Sequence, residues 1–480
     1  MKAAKENMTG RKTKKLLVSF IAVLALVLGC VGCKKETPRE AVDKAFEKTF
    51  SASSPLENLL GISEIQKAIA DKSPYSSGAT LTLQNVSGET FGEYASLLSG
   101  IGFSVDSAIN VAKEQLKSVI GISYGNNTYL TLNAFADASK LYLTVPQLLS
   151  GSLSIDLATL KEDLASDSFL GKAISSELAS SGIEIPEDLT ASIWNFFKTE
   201  TNVNTSLPES ITNAYDAMMK QIVTEEVKKS DVTLPSEVSA KKVYNMTISK
   251  DSYRDLVSAS VQYFVDSFLD ALSAESVNIA DIDVPSAEEI TAFVDEIVNT
   301  LGDIVLTVAV NKDGYVCYLG SELNIQGITI TFSSVFSGEN SPLEDVEAKL
   351  SANFMGQRIS LSASQKLDME NQSVSYNGKL TALDFTAEFS TEGSFRNVEK
   401  GKKYHFDLDF FEFTCSEGLS FTLSGSAYQD VTACDIELPT GTEHELLKMD
   451  ETAFSGLITE IMTKLQNDPL LSGLLEGLGL

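Results

Sequence analysis

An α+β fold is predicted, with large curved antiparallel β-meander sheets, half-barrel-like, packed with amphipathic helices. Three observations predict it. From about Ile304 to Leu438 apolar and polar residues alternate at period two almost throughout, the pattern of strands with one buried face. From about Leu157 to Asp231, and again from about Ser252 to Leu301, the apolar residues recur at helical spacing. A hydrophobic fraction of 43%, with 24 Phe and 14 Tyr, supplies a real core for a chain of 480 residues, more than one core usually serves.

In chain order, Thr37-Pro38-Arg39-Glu40 reads as a helix start, with a threonine cap, proline at the first helical position and a glutamate reaching back. Val42, Phe46 and Phe50 give that helix its core face, and Ile62, Ile65 and Ile69 mark a second. Ala79, Leu81 and Leu83 alternate with Thr80 and Thr82, as in a half-buried strand. The segment from Phe91 to Ala112 is ambiguous. Three strands follow, through Ile120 and Ile122, Leu130 and Leu132, and Leu141, Leu143 and Val145. Gly125-Asn126-Asn127 and Asp137-Ala138-Ser139 turn between them, and Pro146 ends the run.

The helical region then carries Pro186 and Pro208 at helix starts and an apolar cluster at Ile193, Trp194, Phe196 and Phe197. A strand near Lys241 to Ser249 precedes two helices, the second opened by the capping box Ser286-Ala287-Glu288-Glu289. In the long meander, strands run through Ile304 to Val310, Val346 to Phe354, and Leu383 to Phe389, with turns expected at Asn311-Lys312-Asp313-Gly314 and Asn377-Gly378. The apolar phase shifts from Tyr404, Phe406, Leu408 and Phe410 to Phe411, Phe413 and Cys415, which predicts a β-bulge at Phe410-Phe411. The tail is helical, Asp468-Pro469 opening its last helix. No fixed-period repeat is visible.

Ahead of all this, residues Lys14 to Cys30 are basic at the front, apolar through the middle, and end in Val27-Leu28-Gly29-Cys30. The run from Leu16 to Gly29 would extend about 21 Å as a helix, short of a hydrocarbon core of roughly 30 Å. The layout resembles the export signal of bacterial lipoproteins, with Cys30 in the lipobox position; Cys33 of Cys30-Val31-Gly32-Cys33 is the alternative. The resemblance implies that residues 1–29 are removed, that the cysteine carries diacylglycerol on its sulfur, and that the protein is extracytoplasmic and held to the cell membrane by an N-terminal lipid. The chain then divides into the signal at 1–29, a tether at 30–37, an α+β lobe at 38–302, a meander lobe at 303–440, and C-terminal helices at 441–480 packing on the sheet.

The formal net charge of −29 becomes −34 when residues 1–29 are taken away with their six basic and one acidic side chains. Such a surface repels nucleic acid and anionic head groups. Beyond Cys30 and Cys33 only Cys317, Cys415 and Cys434 remain, which is no disulfide framework; Cys415 and Cys434 either pair or stay as thiols.

Motifs for chemistry fail on context. Gly121-Ile122-Ser123-Tyr124-Gly125 matches a nucleophile elbow, but a strand rather than a helix follows it, so Gly125 belongs to a hairpin. His405, Asp407 and Asp409 alternate along one strand opposite Tyr404, Phe406 and Leu408, as a solvent-facing row does. Asp281-Ile282-Asp283 lacks the glycine and glutamate of a calcium loop. Arg396, Lys400, Lys402 and Lys403 form a basic turn that guards strands. No catalytic residue, metal site or cofactor is expected.

The element order, with phrases such as Lys140-Leu141-Tyr142-Leu143-Thr144-Val145-Pro146, resembles the lipoprotein-carrier fold and related lipid-binding lipoproteins. That resemblance implies a sheet plugged by helices over an apolar cavity and carries over no functional residue. The expected function is a non-catalytic binding role, for lipid or another apolar molecule, with Trp194, Phe196 and Phe197 as a candidate cover. The alternative is a structural or adhesive cell-envelope protein that binds other proteins; a hydrolase comes third. An internal apolar cavity would favour the carrier, and a packed core with an exposed apolar patch the adhesin.

Overall fold

A computed structural model describes residues 37–467 apart from 52–53, 90, 93–94, 126, 167, 182–193, 195–207, 275–285, 326, 355, 433 and 435. The signal at 1–29, the tether through residue 36 with Cys30 and Cys33, Phe196, Phe197, Asp281 to Asp283 and Asp468-Pro469 lie outside the described residues.

The fold is β-rich and antiparallel, with helices. In chain order the elements are α1 (Pro38–Phe46), a π-helical turn (Glu47–Ser51), α2 (Pro55–Leu60), α3 (Ile62–Ala70), β1 (Tyr75–Ser87), α4 (Ala95–Leu98), β2 (Ile101–Asn110), β3 (Gln115–Tyr124), β4 (Asn127–Ala136), β5 (Lys140–Thr144) and β6 (Ser152–Asp156). Next come α5 (Leu160–Ala165), α6 (Phe169–Ser180), α7 (Glu209–Gln221), β7 (Val223–Val227), β8 (Lys242–Ile248), α8 (Lys250–Ala274) and α9 (Ala287–Leu301). The remaining strands are β9 (Ile304–Val310), β10 (Val316–Ile325), β11 (Ile328–Ser337), β12 (Asp345–Phe354), β13 (Gln357–Asp368), β14 (Ser373–Ala382), β15 (Phe385–Glu399), β16 (Lys403–Cys415), β17 (Ser420–Asp430) and β18 (Glu443–Glu445), followed by α10 (Glu451–Asn467).

Two compact units interleave along the chain. The first takes the described residues of 1–55, 203–368 and 376–388, the second those of 56–202, 369–375 and 389–480. Each unit draws residues from both the 38–302 and the 303–440 stretches.

In the first unit β7 to β13 form an unbroken antiparallel meander. Its apolar face is covered by helices: Met218 of α7, Leu256 of α8 and Ile297 of α9 pack with Tyr244, Met246, Leu306 and Val308 in one buried cluster. Directly paired residues share a face, so the same rows run on through Leu350 and Ala352 of β12 to Leu361 and Ile359 of β13. There the cover ends, and Leu361 and Ile359 are exposed. The capping box at α1 forms as expected, with Thr37 N–H donating to Glu40 Oε2 at 2.6 Å. Just beyond α1, the buried Thr49 hydroxyl donates to Ala45 O at 2.6 Å and accepts from Val316 N–H at 2.8 Å, fastening the π-helical turn to the start of β10.

In the second unit the strands run β16, β17, β1, β2, β3, β4, β5, β6, all antiparallel, with β18 added parallel to β6. β1 therefore sits between the latest long strand and its own successor. Trp194 belongs to this unit and is buried.

Several local expectations hold. The register shifts between Leu408 and Phe411, which is the bulge read from the phase jump. Asp137 Oδ1 accepts from the backbone of Ser139 and Lys140 to close the β4–β5 turn. Others are corrected. Asn377-Gly378 lies inside β14, and the reversal falls at Leu383-Asp384, where Leu383 takes φ +57. Gly378 keeps a buried strand position, so the Asn-Gly pair supplies no turn. The ambiguous segment after Phe91 holds α4 and β2, and β6, β7 and β18 are short strands that alternation alone did not expose.

Candidate binding surface

The register of the second unit sorts its side chains onto two faces of different character. One face is apolar. Its first row across the strands is Phe406, Ala427, Ala79, Val105, Ile120 and Leu132, and its second is Leu408, Gly425, Leu81, Phe103, Ile122 and Leu130. At about 4.8 Å between strands each row spans roughly 24 Å.

The middle of this face is uncovered. Leu81 is 44% exposed, Phe103 57%, Val105 46% and Ile120 46%. This overturns the half-buried reading of β1: alternation marks which residues share a face, but not which face the rest of the protein covers. Within the rows, Gly425, Ala427 and Ala79 leave a shallow floor along β17 and β1, flanked by Phe406 and Leu408 on one side and by Phe103 and Val105 on the other. A side chain cannot be added at Gly425, since its Cβ would collide with the Thr80 carbonyl. β1 pairs with β17 along one edge and β2 along the other, so its backbone polar groups are already satisfied.

The opposite face is polar. Thr80, Thr82 and Gln84 of β1 share it with Ser424 and Ser426 of β17, and Thr80 Oγ1 lies 3.0 Å from Ser426 Oγ. Tyr428 reaches across Gly78 so that its hydroxyl donates to Asp106 Oδ2. Burial first, and then this carboxylate, push the Tyr428 hydroxyl pKa well above the ordinary tyrosine value. Lys117 Nζ lies 3.3 Å from Asp106, and Arg396 Nε donates to Asp407 at 2.5 Å. The Arg396 guanidinium holds the Asp407 carboxyl below its usual range.

The sequence candidates fall as follows. Trp194 is 1% exposed, a core position; its neighbours Phe196 and Phe197 are outside the described residues. Ser123 is the last residue but one of β3, opposite Gly102 and Thr128, in a hairpin closed by Gly125 at φ +59. His405 and Asp407 share the polar face, whereas Asp409 lies within the bulge. Of the basic turn, Lys403 and Lys402 pair with Glu399 at 2.6 and 3.9 Å, while Arg396 pairs across strands with Asp407. Cys415 is a thiol, so the Cys415–Cys434 bridge is not formed, and burial pushes the Cys317 thiol up to about 11. Among the described residues no group of three or more acidic, histidine or cysteine side chains is placed to hold a metal, and no helix is long and apolar enough to cross a membrane. The exposed apolar rows escaped the sequence reading, although Leu81, Phe103, Val105 and Ile120 all stand in alternating stretches.

No family model and no curated protein matches the sequence. Solved structures align weakly. Pseudomonas aeruginosa OpdL is 7% identical, with 75% of this chain and 98% of that chain covered at a TM-score of 0.12. Pseudomonas aeruginosa OpdQ is 5% identical, with 77% and 97% covered, at 0.12. A mutant of transferrin binding protein B from Haemophilus parasuis Hp5 is 9% identical, with 75% and 76% covered, at 0.11. Similarity at this level says nothing about what the chain does.

Proposed function

We propose that the protein is an exported lipoprotein, anchored through Cys30, that binds the hydrocarbon part of a lipid without catalysis. The observation that carries the reading is the uncovered apolar face around Leu81, Phe103, Val105 and Ile120. Those side chains expose on the order of 300 Å², within the range of the largest apolar patch on an ordinary monomer, which is often functional. Covering it is worth on the order of 7 kcal/mol at about 25 cal/mol per Å², before the cost of association. The face offers side-chain hydrocarbon and no unpaired backbone. A peptide laid on it would leave its own amides unsatisfied at about 1–3 kcal/mol each, whereas an acyl chain has no such groups. Half-barrel curvature of the sheet around this face is the finer form of the fold that the reading needs.

A second reading has its own support. The patch is open rather than enclosed, which by the cavity-against-patch criterion favours an apolar side-chain surface of another envelope protein, so the lipid reading stands against it on the satisfied backbone of the face alone. One experiment separates the two. Protein carrying Cys30→Ser, and so free of its anchor, is titrated with a fluorescent long-chain fatty acid, and Phe103→Asp/Ile120→Asp is compared with it. Saturable binding that weakens at least tenfold in the double variant, with circular dichroism unchanged, supports the lipid reading. Absence of binding, or equal binding by both proteins, sinks it in favour of the protein-binding alternative. The anchor is tested apart from this: mass spectrometry of the mature N-terminus should find diacylglycerol on Cys30, and a modified Cys33 or an unmodified terminus would refute the assignment.

A further inference from the structure

We propose that the polar face of the second unit carries a saccharide platform, centred on Tyr428 and His405, that takes a neutral pyranose of a glycan chain. Tyr428 on β17 stands opposite Gly78 on β1, and Gly78 stands opposite Asp106 on β2. The tyrosine hydroxyl reaches Asp106 over that glycine, so the ring lies along the sheet rather than standing away from it. A Cβ at Gly78 would come within 2.5 Å of Tyr428 Cε1, which is why the position has no side chain. His405 on β16 is the direct partner of Tyr428 on the other side, with ring centroids 5.4 Å apart and planes inclined by 20°. Covering a strand glycine needs one ring. The second extends the surface into an offset pair lying over three strands. Both residues are half-buried on the polar face.

The surroundings match what a sugar ring presents, namely an apolar face of C–H bonds and a rim of hydroxyls that both donate and accept. The rings supply the stacking surface. Lys117 and Arg396 are donors at the rim, Asp106 and Asp407 acceptors, and Thr80 and Ser426 serve as either. Beyond Thr80 the floor stays low, since Gly102 and Gly121 stand where a Cβ would collide with the Ser123 and Ser104 hydroxyls. Charge narrows the ligand further. In a chain of net charge −29, this patch sets Asp106, Asp407 and Asp430 against Lys117, Arg396 and Lys403, so it lacks the strong negative excess of the chain as a whole. The strands beneath are paired on both edges, which leaves no site for an added peptide strand.

The test uses the full-length protein carrying Cys30→Ser, titrated calorimetrically with cellotetraose and with the tetrasaccharide of N-acetylglucosamine. At least one should bind. Tyr428→Ala and His405→Ala should each weaken that binding about tenfold, while Tyr428→Phe, which keeps the ring and loses the hydroxyl, stays within about threefold. Should Tyr428→Ala fail to fold, His405→Ala and Tyr428→Phe still decide the matter. Failure of both tetrasaccharides to bind, or unchanged affinity in His405→Ala, would overturn the proposal. Fatty-acid binding is read separately and is expected to be unaffected by these substitutions.

Discussion

Thr49→Val tests how the π-helical turn is tied to the first unit. The hydroxyl of Thr49 is buried and serves two backbone groups, donating to Ala45 O and accepting from Val316 N–H, and Val316 itself is fully buried. Valine preserves shape, so the substitution removes polar contacts and little packing. A buried N–H left without an acceptor costs about 1–3 kcal/mol. For a unit of roughly this size each kcal/mol lowers Tm by about 2–4 °C, which gives a fall of about 2–12 °C in that unit's transition. Thr49→Ser keeps the hydroxyl and should restore most of it. Hydrogen exchange adds a local reading, since the Val316 amide should lose protection in Thr49→Val and retain it in Thr49→Ser. Equal stability of the two variants, within about 0.5 kcal/mol, would show that the hydroxyl is not what holds the turn to β10.

Tyr253→Phe removes a hydroxyl that donates to Gly302 O at 2.7 Å and bridges α8 to the end of α9, and should cost about 1–2 kcal/mol in thermal melts at pH 8. Burial raises the Tyr253 pKa far above the ordinary value of 10. Its contribution is therefore complete below pH 10 and is lost as pH rises toward the folded value, so the gap between wild type and Tyr253→Phe should narrow in melts above pH 10. Gly425→Ala drives a Cβ into the Thr80 carbonyl where β17 meets β1, and should destabilise the second unit by about 1–3 kcal/mol, seen as faster exchange of β1 amides. Unchanged exchange would mean that the strand shifts to make room.

Alternation identified β9 and β12, and the bulge in β16, because a strand with two unlike faces prints its period directly into the sequence. Capping residues did the same for α1 and α9, where Thr37 and Ser286 each complete a box with the glutamate three residues on. Pairing partners were not legible. Nothing in Tyr75–Ser87 announces that it joins Ser420–Asp430, and without that pair the rows of the apolar face cannot be assembled. Strands of three to five residues, such as β18 and β6, are too short to show a period. Of the two candidate surfaces, His405 and Asp407 stood out through alternation, but Tyr428 did not. A glycine inside an alternating strand, at Gly78, was the available signal that another side chain comes close.

The place of β1 also sets a timetable for folding. Thr80 meets Ser426, a partner 346 residues further along the chain. At roughly 5–20 residues per second of synthesis, the second edge of β1 waits tens of seconds for the strand that covers it. β2 follows soon after β1 and can close its first edge early. The waiting edge belongs to a strand of thirteen residues, Tyr75–Ser87, that contains no charged side chain and no proline, the two features by which sheets discourage unwanted pairing. Until β17 arrives, the nascent chain therefore presents a long, uncharged strand edge beside the apolar row of Leu81 and Phe103. Protection of that half-built sheet is a requirement of its topology.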